Sequence, residues 1–217
     1  PAYSSHFPTG FFSHYTNWLL KRRFKQIWVQ QEYQPDSSSR TVYYLNHNLW
    51  WDGLLPLYLN QKFFHQKARA LMEDKQMQQY PFFSKIGAFS INLKNPKASI
   101  PSLRYAVESM QRENSCLFIY PEGAITPASE TPPIFKPGLA WLYTKTEHID
   151  FVPIHFYSHF LRESKPELYI AIGESVNHDK ALSTSALTEL FEHDLWLLNT
   201  LTRKVAGFSD EGFTPQF

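Results

Sequence analysis

The alternation of apolar and polar positions along the chain predicts a series of helices and strands. A helix is expected from about Phe11 to Arg23, and the alternating segment FKQIWVQQEY behind it is typical of a strand. After a polar, serine-rich link, residues 41–46 (TVYYLN) form a β-branched and aromatic run that indicates a buried strand. Apolar side chains three and four positions apart then predict a helix from about Gln61 to Gln78.

The second half of the chain continues this alternation. Strands are expected at KIGAFSIN, CLFIY, IDFVPIHFY and ELYIAIGESV, and helices at about residues 98–113, at GLAWLYTKT and from about Ser185 to Lys204. The proline-rich segment TPASETPPIFKPG is too long for a tight turn, so it is a candidate lid or binding loop. We therefore expect an α/β fold with a central, twisted, mixed and largely parallel sheet flanked by helices, preceded by an N-terminal amphipathic helical segment.

Length and composition favour one domain. The chain has 217 residues, of which 43% are hydrophobic and 19% charged, and these values are typical of one globular domain with a substantial core. We expect an N-terminal aromatic and basic helical segment at residues 1–23, a single α/β domain at 24–207 and a C-terminal tail at 208–217.

Charge and cysteine content exclude several classes of function. A formal net charge of +1 argues against nucleic-acid binding, which depends on clustered Lys and Arg over a wide face. The single cysteine, Cys116, permits no intrachain disulfide and no cysteine-based metal site, so a reducing, cytoplasmic location is expected. A serine hydrolase is set aside because the sequence contains no G-x-S-x-G turn for its nucleophile.

The N-terminal residues raise the question of membrane contact. No window approaches the roughly 20 apolar residues of a spanning helix, and no signal-peptide pattern is present, so the chain is not expected to span a bilayer. The aromatic fraction is 17%, and FFSHYTNWLLKRRFK combines large rings with basic side chains, as suits a bilayer interface. A core-packing helix with a basic outer face fits the same pattern, and both alternatives stay open.

The segment YLNHNLWWDGLLP contains a histidine and an acid that favour acid–base chemistry. Asp52 follows His47 by five positions, a separation that leaves two side chains of a regular helix about 140° apart. They meet only if a strand-to-helix corner folds Asp52 back toward the imidazole. A carboxylate bonded to one ring nitrogen fixes the tautomer and leaves the other nitrogen to take a proton. The alternative is that His47 ends a strand and Asp52 caps a helix, with no shared role.

A second candidate site follows the apolar strand CLFIY. In IYPEGAIT, Pro121 and Gly123 would shape a turn from which Glu122 projects. α/β proteins bind ligands at the carboxyl ends of their strands, so Glu122 is placed to bind a hydroxyl or a cation. The alternative is an ordinary turn with an exposed glutamate.

Taken in order, these segments resemble the glycerolipid acyltransferase superfamily, the PlsC-like proteins that include glycerol-3-phosphate and lysophosphatidate acyltransferases. The resemblance covers roughly residues 24–175. The first family block, N-H-x-x-x-x-D, is matched by Asn46, His47 and Asp52, and the second, G-x-x-F-I-D-R, by Gly87, Ile91 and Asn92. The third block, F-P-E-G-T-R, is matched by Tyr120 to Gly123, and the F-K-x-G that follows it by Phe135 to Gly138. The last block, V-P-[IV], is matched by Val152 to Ile154.

The resemblance implies transfer of an acyl group from acyl-CoA or acyl-carrier protein to a hydroxyl or amine of a lipid, with His47 as general base and Asp52 orienting it. It implies peripheral attachment to the inner face of the cell membrane and no metal or redox cofactor. The implied acceptor site contains Glu122, Gly123, Asn92 and Lys94, and the implied donor site or acyl channel contains Trp50, Trp51, Pro121, Lys136 and Pro153. One of the two tryptophans is expected to wall the channel, and core packing is the alternative for either.

Two positions depart from the family pattern. Members that use phosphate carry an arginine at the end of the second and third blocks, where this chain has Leu93 and Ile125. Arginine suits bidentate phosphate binding, so the acceptor is expected to be a less charged lipid, such as a glycolipid, a pigment glycoside or an amino-acid lipid. Two alternatives stay open: an ordinary 1-acylglycerol-3-phosphate acyltransferase that binds phosphate through Lys85, Lys94 or Lys136, and an inactive lipid-binding protein.

Overall fold

The structure, a computed structural model, describes residues 9–85, 87–93, 95–127 and 130–217. Side chains are described from His14 onward, without those of Lys85 and Pro96. The first eight residues of the expected N-terminal segment, and Lys94 of the expected acceptor site, lie outside the described residues.

The described residues form one eight-stranded sheet. Its strands are β1 (Gln26–Gln31), β2 (Arg40–Leu45), β3 (Lys67–Glu73), β4 (Ala88–Ile91), β5 (Ser115–Ile119), β6 (Asp150–His159), β7 (Glu167–Ile172) and β8 (Thr214–Pro215). Their order across the sheet is β4-β3-β5-β2-β6-β7-β1-β8. Only the β6–β7 and β1–β8 pairs are antiparallel, so the sheet is mixed and largely parallel, as the sequence predicted.

Helices cover both faces of this sheet. They are α1 (Thr9–Arg23), α2 (Leu55–Leu59), α3 (Asp74–Gln79), α4 (Phe82–Lys85), α5 (Pro96–Ser109), α6 (Gly138–Lys145) and α7 (Thr184–Val205). On one face, α1 and α2 pack against Tyr43 and Leu45 of β2. On the other, α5, α6 and α7 pack against Val42 and Tyr44. Because both faces are covered, β2 beyond Arg40 and the whole of β5 are buried, which is why their largely apolar runs predicted buried strands.

The predicted helix at residues 61–78 is wrong. A π-helical turn (Asn60–Phe64) leads into β3, and only α3 behind it is helical. β3 pairs in parallel with β5 on one side and β4 on the other. Ala68 and Ala70 pack on one core while Leu71 packs on the other, so the strand is half-buried on both faces and lacks an apolar–polar alternation. Pairing with two neighbours overrides the helix-forming residues of KARALME.

Helix α1 has a buried side and an exposed aromatic side. Leu20 is fully buried and Thr16 nearly so, which ties the helix to the core. Tyr15 and Trp18 stack on each other and are 47% and 53% exposed. None of the helices in the described part of the chain is both long and apolar enough to cross a membrane.

Candidate active site

The site forms where two neighbouring parallel strands end. β2 and β5 lie side by side, so the residues that follow Leu45 and Ile119 emerge at the same edge of the sheet. The backbone N–H of His47 donates to Glu122 Oε1 at 3.0 Å. The carbonyl of His47 accepts from the N–H of Thr126 at 2.8 Å. The first and third sequence motifs are therefore hydrogen-bonded to each other.

Asn46 allows the chain to leave the sheet at this point. The ladder between β2 and β6 ends at the pair Leu45 and Ile154. The side chain of Asn46 then accepts from the N–H of Phe156 at 2.7 Å and donates to its carbonyl at 2.9 Å. The side-chain amide thus replaces the backbone hydrogen bonds that the next residue of β2 would make. The main chain can turn away while the N–H and C=O of Phe156 keep their hydrogen bonds.

The corner after Asn46 brings His47 and Asp52 together. A 3₁₀ turn (Trp50–Gly53) carries Asp52 back, and its Oδ2 lies 2.8 Å from His47 Nδ1. The same oxygen accepts from the N–H of Leu49 at 2.9 Å. The Asp52 side chain is fully buried, whereas 12% of the His47 side chain is exposed. The carboxylate favours the tautomer with a proton on Nδ1, which leaves Nε2 as the basic nitrogen.

Tyr120 fixes this pair from the β5 side. Its ring stacks on the His47 imidazole with centroids 4.4 Å apart, and its hydroxyl donates to the backbone carbonyl of Asp52. Burial raises the pKa of Tyr120 well above its usual range, so the hydroxyl stays protonated. Burial also raises the pKa of Asp52, against the lowering effect of the hydrogen bonds from His47 and the Leu49 N–H.

His47 and Asp52 border a cavity of about 560 Å³, called the large cavity below. Its wall is mainly apolar and includes Leu54, Leu57, Leu71, Ile91, Leu103 and Leu139. Basic side chains also line it, those of Arg69 and Lys136. Arg69 was missed by the sequence analysis because its strand was predicted as a helix, and periodicity gave no other signal for it.

Several of the predicted site residues lie together around the large cavity. Trp50, Pro121, Gly123 and Lys136 line it, as do Leu93 and Ile125. Gly123 has φ +74°, and a Cβ there would lie 3.1 Å from Leu93 Cδ1 and 3.5 Å from Lys136 Cγ. Glycine is therefore required both by the backbone conformation and by the close approach.

Other predicted residues lie elsewhere. Trp51 packs against the core and lies edge-on to Phe24. Pro153 lies within β6, and Asn92 accepts a hydrogen bond from the N–H of Asn95 before α5. Glu122 faces a second, smaller cavity of about 220 Å³, called the small cavity below, whose other lining residues include Asn48, His155, Trp196, Asn199 and Arg203.

No metal-binding cluster is present among the described residues, where no three His, Cys, Asp or Glu side chains come close enough to hold an ion. The sequence-based expectation that no cofactor is needed stays a prediction.

The raised pKa of Asp52 predicts a pH dependence of stability. As the pH rises above 3.8, the ordinary pKa of an aspartate, the Asp52 carboxyl ionises in the unfolded chain. In the folded protein it stays protonated up to a higher pH, because burial raises its pKa. The contribution of Asp52 to the free energy of unfolding is thus present below 3.8 and is lost as the pH rises through the raised value. We expect the stability of the wild type relative to Asp52→Asn to fall with rising pH, measured by urea unfolding.

Asp36 provides a control of opposite sign. Hydrogen bonds from Ser38 and Ser39 lower its pKa to about 2, so Asp36→Asn should remove stability that is present above 3.8 and lost on acidification. A wild-type advantage over Asp52→Asn that grows with pH would contradict the prediction for the buried carboxyl.

Comparison with known proteins identifies the family to which the chain belongs. Among solved structures, the fold is similar to the crystal structure of the 1-acyl-sn-glycerophosphate (LPA) acyltransferase PlsC from Thermotoga maritima, with a TM-score of 0.61 and 14% identity over 88% of this chain and 79% of that chain. No curated protein sequence matches. The family model named Acyltransferase matches residues 26–157, more than half of the chain, and these residues include the His47–Asp52 pair. The resemblance found in the sequence motifs is confirmed, and the chain belongs to the acyltransferase family.

Proposed function

We propose that the chain transfers a fatty acyl group from a thioester, acyl-CoA or acyl-carrier protein, to a hydroxyl of a lipid acceptor, with His47 as general base. The observation that carries this proposal is the 2.8 Å contact between His47 Nδ1 and the fully buried Asp52, at the wall of a large, mainly apolar cavity. Family membership makes an acyl donor and a lipid acceptor the two substrates.

The proposed reaction passes one proton through His47. The acceptor hydroxyl attacks the thioester carbonyl while its proton moves to His47 Nε2. Asp52, bonded to Nδ1, keeps the ring in the productive tautomer and stabilises the imidazolium that forms. The tetrahedral intermediate then expels the thiolate, which takes the proton back from His47. The products are the acylated acceptor and the free thiol, and no covalent enzyme intermediate is required.

Glu122 serves in this proposal as a positioning residue. One carboxylate oxygen accepts from the N–H of His47, and the other accepts from the hydroxyl of Thr126. Both oxygens therefore hold the backbone around His47 in place. In this proposal the acceptor binds instead at Gly123 and Lys136, which line the large cavity together with His47.

The apolar part of the large cavity suits an acyl chain. Leucine and isoleucine side chains from α2, β3, β4, α5 and α6 line it, so an acyl chain bound there would leave water at little polar cost. Trp50 lies at its wall and is 69% exposed, while Trp51 packs in the core. We assign the channel role to Trp50.

Replacing His47 with Ala should lower the rate of thioester consumption by about 10²–10⁴-fold, because the proton acceptor is lost. The assay follows release of free thiol from acyl-CoA in the presence of a lipid acceptor. His193→Ala is the matched control, since His193 is exposed on α7 and lines neither cavity. Full activity in folded His47→Ala would refute the mechanism, and a folded but inactive wild type would favour the lipid-binding alternative.

For the acceptor we propose a lipid without a phosphate monoester. Leu93 and Ile125 line the large cavity at the positions of the missing family arginines. Neither side chain can donate a hydrogen bond, and each charge-assisted contact to a phosphate is worth about 1.5–3 kcal/mol.

A second candidate acceptor, a phosphate-bearing lipid, is favoured by one observation. Arg69 and Lys136 both line the same cavity, so two basic groups are present despite the missing arginines. In the structure, the guanidinium of Arg69 donates to the backbone carbonyl of Ala68.

Acceptor competition separates these two candidates. With a non-phosphate acceptor, Arg69→Leu should leave kcat/KM within about threefold, and Leu93→Arg with Ile125→Arg should raise the relative rate on lysophosphatidate at least about tenfold. The measurement is acylation of a glycolipid and of lysophosphatidate in one mixture. Preference of the wild type for lysophosphatidate, abolished by Arg69→Leu, would establish the phosphate-bearing acceptor instead.

We further propose that the exposed side of α1 contacts the inner face of the cell membrane. Tyr15 and Trp18 present two stacked rings to solvent, and the Arg22 guanidinium lies 5.5 Å from the Trp18 ring centroid. Aromatic rings beside basic groups favour the headgroup region of anionic bilayers.

Removing these rings should weaken membrane binding. Tyr15→Ala with Trp18→Ala is expected to reduce the fraction bound to liposomes containing anionic lipid at least about fivefold, since both rings leave the interface. The measurement is co-sedimentation with vesicles. Phe160→Ala is the control, because Phe160 is 68% exposed and lies outside α1. Equal binding of the double variant and the wild type would assign α1 to core packing alone.

A further inference from the structure

The small cavity lies behind the catalytic histidine. Asn46 and Asn48 line the small cavity, whereas His47 between them lines the large one. In the same way, Glu122 faces the small cavity while Pro121 and Gly123 face the large one. One thickness of polypeptide therefore separates the two cavities.

Two polar side chains of the small cavity have no hydrogen-bond partner among the described residues. His155 is 5% exposed, and its Nδ1 is buried without a hydrogen bond. Burial and the nearby Arg203 lower the pKa of His155 to about 3, so the imidazole is neutral and carries one donor and one acceptor. The amide of Asn199, on α7, also makes no hydrogen bond to any other described residue. Buried polar groups are normally paired, so the unpaired His155 side chain points to a ligand, and the half-buried Asn199 amide offers that ligand a second hydrogen-bonding group.

The charges that border the cavity are already engaged. Arg203 forms an ion pair with Glu130 and lies over the Tyr157 ring. The carboxylate of Glu122 receives hydrogen bonds from the His47 N–H and the Thr126 hydroxyl. Each of these charged groups already has a partner, so the side chains of the cavity that have none are the neutral His155 and Asn199.

The small cavity is much larger than one water molecule. The cavity volume of about 220 Å³ far exceeds the ~10–15 Å³ that one water needs. Trp196, Phe156 and the prolines 127, 132 and 133 give it apolar walls, against which the C–H face of a ring can pack. Its lining thus combines apolar faces with unpaired amide and imidazole groups.

We propose that the small cavity binds a neutral, hydroxyl-rich group of the size of one sugar ring, held by His155 and Asn199. The group is either a free sugar or the glycosyl head of a lipid acceptor. The second case rests on the proposed function, whereas binding of the sugar itself does not.

Binding is tested first without turnover. The probe is methyl β-D-glucopyranoside, titrated into the ¹⁵N-labelled protein and followed by NMR chemical shifts. We expect saturable shifts at Asn199 and around His155, with Kd raised at least about tenfold in Asn199→Leu and in His155→Phe, since each loses a hydrogen bond. His193→Phe, an exposed histidine of the same helix as Asn199, should bind like the wild type.

The outcomes of this titration decide the proposal. Shifts that do not saturate, or an equal Kd in all variants, would show a cavity filled by water only and overturn it. If His155→Phe does not fold, Asn199→Leu decides alone, because Asn199 is only half-buried. The titration is independent of His47, so failure of the proposed reaction would leave its result unaffected.

A second arm identifies the source of the group. Acylation is measured with monoglucosyl diacylglycerol and with diacylglycerol, which lacks the sugar. If the group belongs to the acceptor, Asn199→Leu should raise KM at least about tenfold for the glucosyl lipid only, with kcat little changed. Equal KM values for both lipids, together with saturable binding of the glucoside, would assign the cavity to a free sugar.

Discussion

The hydrogen bond from the His47 N–H to Glu122 holds together the two strand ends on which the site is built. It joins residues 75 positions apart in the chain, and it can form only because β2 and β5 pair in parallel with Tyr44 opposite Ile119. His47 follows the end of β2 by two residues, so a slip of one residue in the pairing of β2 with β5 would move its N–H away from Glu122. The register of two buried strands therefore decides whether this hydrogen bond forms.

The segments that follow β2 and β5 divide the chemistry of the site between two cavities. Successive residues 46, 47 and 48 face the small, large and small cavity in turn, and residues 121, 122 and 123 face large, small and large. The large cavity is mainly apolar, whereas the small one combines apolar walls with the polar side chains of Glu122, His155, Asn199 and Arg203. Two neighbouring segments at one edge of the sheet thus border two different environments without an additional domain.

The sequence predicted the elements whose burial is uniform and missed the one whose burial is mixed. β2, β5 and most of β6 are buried, and α7 has one clear apolar stripe, so each was predicted near its observed bounds. β3 is half-buried on both faces, and its helical prediction hid Arg69 from the candidate site. The small cavity was missed for another reason, since His155 and Asn199 come from distant elements and belong to no linear motif.

Tyr120 stands where the family block has phenylalanine, and its hydroxyl has a consequence for the dynamics of the imidazole. The ring stacks on His47 while the hydroxyl donates to the carbonyl of Asp52, so one side chain restrains both members of the pair. A 180° flip of the imidazole about χ2 would take Nδ1 away from Asp52, and the ring would have to leave its stacked position against Tyr120 while it turns. Its orientation is fixed when the chain folds, and little conformational entropy remains to be lost each time a substrate arrives.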